Sequence, residues 1–168
     1  VAIDQYLKQN GTMVFLLPAS FLKSTKGGEG FRKFEIIRKN QNIPFSVKSV
    51  HDFSNVSLFT IPTIAVKFYK GEKMQYPMNN YVIYSQIGRK AKIDTHWNWE
   101  QVKNILTKDD CSAQPVDQYD IQSSWLTLKD MTFANNVLNR NKPRYYRGRK
   151  GIEPAGAKGV YILREPKK

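Results

Sequence analysis

The segment Thr12-Met-Val-Phe-Leu-Leu-Pro18 constrains this chain most: it is apolar without interruption from Met13 to Leu17, with Gly11 before it and Pro18 closing it. A run this short cannot make a buried helix, and it predicts a central parallel strand covered on both faces. Its surroundings suit such a layered unit. Upstream, Val1, Ile3, Tyr6 and Leu7 fall at helical spacing before the stop signal Asn10-Gly11, so the chain opens on the end of a helix. Downstream, Ser20 can cap a new helical turn. Phe21-Leu22, Phe31, Phe34 and Ile36-Ile37 form an amphipathic pattern broken by Gly27-Gly28-Glu29-Gly30, which predicts a helical turn, a loop, and a helix from about Gly30 to Lys39. Phe45 to Phe53 alternates apolar and polar residues as a half-buried strand does, and Ile64 to Tyr69 reads as another, closed by Lys70-Gly71. The connection Ser54 to Thr63 carries apolar residues in a loop, which makes it a functional candidate.

Beyond Gly71 the periodicity weakens. Tyr81 to Tyr84 reads as a strand, Trp97 to Leu106 as a short helix with Trp97, Val102 and Leu106 inward, and Asp109 to Asp117 as a loop. Gln122 to Leu126 and Met131 to Leu138 suggest a small packed helix, and Val160 to Leu163 a last apolar strand. The expected organisation is an α/β unit over 1–71, a less regular α+β connecting region over 72–138, and a basic segment over 139–168.

Charge sharpens that last boundary. The 168 residues carry a net +13, and residues 139–168 supply ten bases against two acids, so +8 of the total sits in that segment. A field concentrated in this way attracts a polyanion, most often nucleic acid. Its densest stretch interleaves Lys142, Arg144, Arg147, Arg149 and Lys150 with Tyr145 and Tyr146, just after Arg140. Cations neutralise phosphates while rings pack on sugar or base, so these eight residues are the DNA-binding candidates.

Other chemistry finds little footing. No apolar stretch reaches the roughly 20 residues of a membrane span and no signal peptide opens the chain, so a cytoplasmic protein without a membrane partner is expected. The single cysteine, Cys111, excludes an internal disulfide and has no neighbouring base to activate it. His51 and His96 are too few for a metal site, and His51 reads as a structural strand residue. Asp109, Asp110, Asp117 and Asp120 lack a histidine partner and read as solvated surface. The three-glycine group begins roughly nine residues after its strand, too far for a dinucleotide or adenosyl loop. No complete reaction centre is visible.

Three ordered segments resemble the C-terminal half of the N6-adenine DNA methyltransferases of restriction-modification systems. Asn10 to Leu22, with Arg32 further on, is similar to the family's G-x-x-x-F-[IV]-x-P-x-S-[FW]-L signature and following L-R. Val56-Ser-Leu-Phe59 leading to Thr63-Ile-Ala-Val-Lys-Phe68 resembles its penultimate loop and last strand. Tyr146 to Tyr161 resembles the stretch that leads towards a target-recognition region. The resemblance implies the late strands and helix of a Rossmann-like sheet. The parent enzyme would use S-adenosylmethionine to methylate an adenine flipped out of double-stranded DNA, because a stacked, paired amino group is out of reach. Phe59 occupies the position of the residue that stacks on the extruded base; a core role for this side chain stands beside that one. The family's cofactor loop and [NDS]-P-P-[YFW] turn are missing, so the resemblance implies a fragment with no catalytic residue of its own, binding no cofactor, inactive alone and partnered by the rest of the methyltransferase chain. A stand-alone, non-catalytic nucleic-acid-binding module is the alternative, as is an interaction tail over 139–168 for an acidic protein.

Overall fold

The computed structural model describes residues 1–24, 28–88, 93–94, 96–117 and 119–138. The basic segment with its eight DNA-binding candidates, the expected strand Val160 to Leu163, and Gly27 lie outside the described residues.

A mixed α/β architecture results, built on one seven-stranded sheet with few and short helices. Helix α1 (Ala2–Gln5) leads to strand β1 (Thr12–Pro18), helix α2 (Ser20–Lys23), a 3-10 turn (Gly30–Lys33) and strand β2 (Glu35–Ile37). The long β3 (Asn42–Asn55) and β4 (Thr63–Lys70) follow, then β5 (Met78–Gln86), α3 (Trp99–Lys103), β6 (Leu106–Pro115), β7 (Trp125–Leu128) and α4 (Met131–Leu138). The spatial order is β1-β4-β3-β5-β6-β7, with β2 paired to the start of β3. Because β4 runs antiparallel to both β1 and β3, those two strands are parallel to one another, and β3 is parallel to β5. The carboxyl ends of β1, β3 and β5 therefore point the same way.

Alternation decides the two faces of the sheet. Val50, Ile64, Val66, Phe68, Tyr81 and Ala113 are fully buried beneath α1, α2 and the 3-10 turn. Phe31 is the hub of this layer, meeting Phe21, Phe45 and Phe68 edge-on with centroids 4.7, 5.1 and 5.7 Å away. Each such pair adds about 1 kcal/mol to the area burial. Buried Lys70 is satisfied by main chain: its Nζ donates to the carbonyls of Leu7, 2.7 Å, and Asp4, 3.1 Å, at the end of α1. Buried Arg32 ties distant segments together, its Nε donating to the Gln122 carbonyl at 2.7 Å and one terminal nitrogen to that of Phe21 at 2.9 Å.

Several expectations need correction: at Gln122 to Leu126 the chain enters strand β7 instead of a helix, and Leu106 opens β6 instead of ending the helix from Trp97, which is confined to α3. β1 is not covered on both faces: it is the outermost strand of the described sheet, and Val14 and Leu16 on its second face are 62% and 59% exposed. No helix from Gly30 to Lys39 forms. The 3-10 turn ends where Phe34 takes a left-handed φ of 52°, a costly conformation for a bulky residue, held here by near-complete burial against Phe45 and Trp125. Glu35, Ile36 and Ile37 then pair with Pro44, Ile43 and Asn42, as suits β-branched residues. The stretch Asp109 to Pro115 is strand rather than loop. Its aspartates hide an alternation in which Cys111, Ala113 and Pro115 point inward, while Asp109 and Asp110 pair with Lys129 and Lys108. With β5, β6 and β7, the 72–138 stretch extends the same sheet. No helix among the described residues is long and apolar enough to cross a membrane.

Candidate nucleic-acid interface

The loop between β3 and β4 rises from the shared carboxyl edge of β1, β3 and β5, the edge where open α/β sheets hold ligands. Its base is fixed on every side. Val56 is buried and its N–H donates to the Phe53 carbonyl at 3.0 Å. Ser57 N–H donates to Gln86 Oε1 at 3.2 Å, and Asn55 Nδ2 to Ser85 Oγ at 3.3 Å, both reaching β5. At the far end Pro18 and Thr63 are register partners, the Ala19 N–H donates to the Pro62 carbonyl at 2.8 Å, and Thr63 Oγ1 to that of Ile61 at 2.9 Å.

Anchored in this way, the loop holds its tip in solvent. Leu58, Phe59 and Ile61 are 49%, 39% and 55% exposed, so Phe59 lies outside the core. A shallow recess of about 320 Å³ separates Phe59 and Ile61 from Leu16 and Pro18 at the end of β1, and another of about 380 Å³ lies on the β3 side against Ser54 and Asn55. Exposed apolar groups grouped at one fixed loop suit contact with a flat apolar ligand.

Directly below, at the end of β3, sits a buried charge that the sequence reading overlooked. Asp52 is 1% exposed and accepts from Lys23 Nζ at 2.6 Å, from Tyr81 Oη at 2.7 Å and from the Ser54 N–H at 2.9 Å. Burial pushes its carboxyl pKa up, but the bonds from Lys23, Ser54 and Tyr81 outweigh this and hold it below the usual range. Tyr81 moves the other way, its phenol held far above its ordinary value by burial and then by the neighbouring carboxylate. The alternation of β3 could have revealed Asp52, since Val50 is inward and a residue two further on shares its face. The trio is a strut between α2 and the sheet. An ion-paired, enclosed carboxylate is unsuited to proton transfer with a ligand.

The remaining candidates disperse. His51 is partnered, its Nδ1 3.2 Å from Tyr84 Oη, on the sheet face opposite Asp52. Burial, and after it the charge of Asp109, pushes the Cys111 thiol up, which disfavours the reactive thiolate. Asp117 and Asp120 organise turns, accepting from the N–H groups of Tyr119 and Gln122 at 3.0 Å each. Gly28, with φ of 85°, has its Cα packed so closely that a Cβ would come within 2.6 Å of the Phe21 carbonyl, and its own carbonyl accepts the Arg32 N–H at 3.0 Å. That glycine serves internal packing. Among the described residues no group of three or more His, Cys, Asp or Glu could hold a metal ion. No protein-family model matches the chain, and no curated protein does either.

Proposed function

We propose that this chain is the C-terminal part of an adenine-N6 DNA methyltransferase, or of a fused restriction-modification enzyme. It contributes the loop that holds an extruded adenine, together with backbone contacts to double-stranded DNA. One observation carries the reading. The two segments resembling that family, Asn10 to Leu22 and Val56 to Phe68, lie far apart in sequence, yet β1 and β4 are hydrogen-bonded neighbours whose register sets Pro18 against Thr63. Phe59 thereby stands exposed at the carboxyl edge, beside the end of β1. An exposed ring on an anchored loop can offer its face to a base removed from its stack. The rest of the sheet, with the cofactor loop and the turn that engages the adenine amino group, would come from the remainder of the methyltransferase, and this part alone would not methylate.

A stand-alone nucleic-acid-binding module is the second reading, favoured by a row of rings on one sheet face. Tyr84 lies stacked between His51 and Phe53, with centroids 5.9 and 5.0 Å away; half-buried rings side by side on a sheet are a platform that single strands use. Titration of the full chain with duplex DNA and with single-stranded RNA over a salt series separates the two. The methyltransferase reading predicts preference for the duplex and dependence on Phe59. Preference for RNA, unaffected by removing Phe59, refutes it.

A further inference from the structure

The loop that carries Phe59 has two roots, and one short element holds both. At the β4 root the Ala19 N–H, directly before α2, donates to the Pro62 carbonyl at 2.8 Å. At the β3 root Lys23 Nζ, from the last residue of α2, donates to Asp52 Oδ2 at 2.6 Å, and Asp52 Oδ1 accepts from the Ser54 N–H at 2.9 Å. α2 is in turn fixed from the core side. Leu22 is fully buried, and the Phe21 carbonyl accepts from the buried Arg32 side chain at 2.9 Å. A helix of four residues is too short to stand on its own backbone bonds, so these contacts set where α2 lies. Tyr81 also donates to the Asp52 carboxylate, at 2.7 Å, but it comes from β5 and takes no part in the link from α2 to the loop.

We infer that α2 is a staple that presets the Phe59 loop, and that Lys23 is a positioning residue for the base held by that ring. An exposed ring on a loose loop must be ordered when it stacks, and the lost entropy is subtracted from binding. A loop ordered beforehand escapes that loss. Lys23 suits the part because its partner is enclosed: the lysine side chain is 37% exposed and that of Asp52 only 1%. Pairs between two exposed groups break readily in water, whereas the buried carboxylate keeps its cation because no solvent can replace it. The inference rests on the methyltransferase reading for the base alone; the staple stands without it.

The test uses the full chain, at a temperature where circular dichroism shows every variant folded. Hydrogen exchange reads the staple without DNA. In Lys23→Met the Ser54, Val56 and Ser57 amides should exchange faster than in wild type by about tenfold or more, and Lys23→Arg should restore their protection. Tyr81→Phe is the control: it takes a hydrogen bond from the same carboxylate but leaves the link to α2, so these three amides should stay protected. Affinity for a duplex with one unpaired adenine, against its fully paired twin, reads the positioning. Lys23→Met should lower the preference for the unpaired adenine by about threefold or more, and should lower nothing further in Phe59→Ala. Equal exchange in wild type and Lys23→Met overturns the staple. So does equal loosening by Tyr81→Phe, which would make the effect one of stability alone. A preference retained by Lys23→Met despite faster exchange overturns the positioning role. Faster exchange in Lys23→Met, with no preference in wild type, refutes the methyltransferase reading and leaves the staple standing.

Discussion

Pro18, the last residue of β1, lies opposite Thr63, the first of β4, and the Ala19 N–H donates to the Pro62 carbonyl 2.8 Å away. This clasp closes the loop that carries Phe59 and sets its tip beside the end of β1. It also ties the loop to α2, which comes directly after Ala19 and bears Lys23.

Lys23 and Asp52 form the second tie. Removing one partner of a buried ion pair strands the other, so Asp52→Asn and Lys23→Met should each cost roughly 2 to 4 kcal/mol in urea unfolding. The Lys23 side chain is 37% exposed, which places its loss towards the lower value. Destabilisation below about 0.5 kcal/mol in both variants would contradict the strut.

The same carboxylate gives a pH signature. Its folded pKa lies below the ordinary value, so its contribution is complete above the unfolded value of about 3.9 and is lost as pH falls through the lower folded one. Acid unfolding should therefore be shallower in Asp52→Asn than in wild type below about pH 4. Identical slopes would show that Asp52 does not couple folding to protons.

Arg32 is fully buried and spans from Phe21 to Gln122. Arg32→Met should destabilise by roughly 3 kcal/mol, and Arg32→Lys should recover less than half, since an ammonium cannot reach both carbonyls as the fork does. Thermal melts report this; a lysine variant as stable as wild type would refute it.

Cys111 should be inert while the chain is folded. Its raised pKa and burial predict alkylation at pH 8 slower than in urea by about tenfold or more. Equal rates would mean that the strand pair β5-β6 opens readily.

The legible parts of the fold were those with strong period or composition. β3, β4 and β5 followed from alternation and β-branched runs, and of the small helix expected from Gln122 to Leu126 and Met131 to Leu138 only the second part forms, as α4. β6 was hidden because strand pairing is made by main chain, so Asp109 and Asp110 at hydrated positions mask the small inward residues Cys111 and Ala113. The Gly30 to Lys39 stretch misled because Phe31, Phe34 and Ile37 keep helical spacing while Phe34 turns the backbone left-handed to reach the core. Of the site, the exposed apolar loop with Phe59 was visible locally. Its anchoring by Gln86 and Pro62, and the Lys23-Asp52-Tyr81 strut beneath it, depend on strands brought together from distant sequence.

The base-holding role of Phe59 is tested most directly by the affinity of the full chain for two duplexes, one fully paired and one with a single unpaired adenine, in wild type and in Phe59→Ala at fixed salt. Stacking on one base is worth about 1 to 3 kcal/mol, so wild type should prefer the unpaired adenine by about 5- to 150-fold. Phe59→Ala should bind both duplexes alike, with unchanged melting temperature, and Phe59→Trp should keep the preference. Equal affinity of wild type for the two duplexes, or a preference that survives Phe59→Ala, would contradict that role.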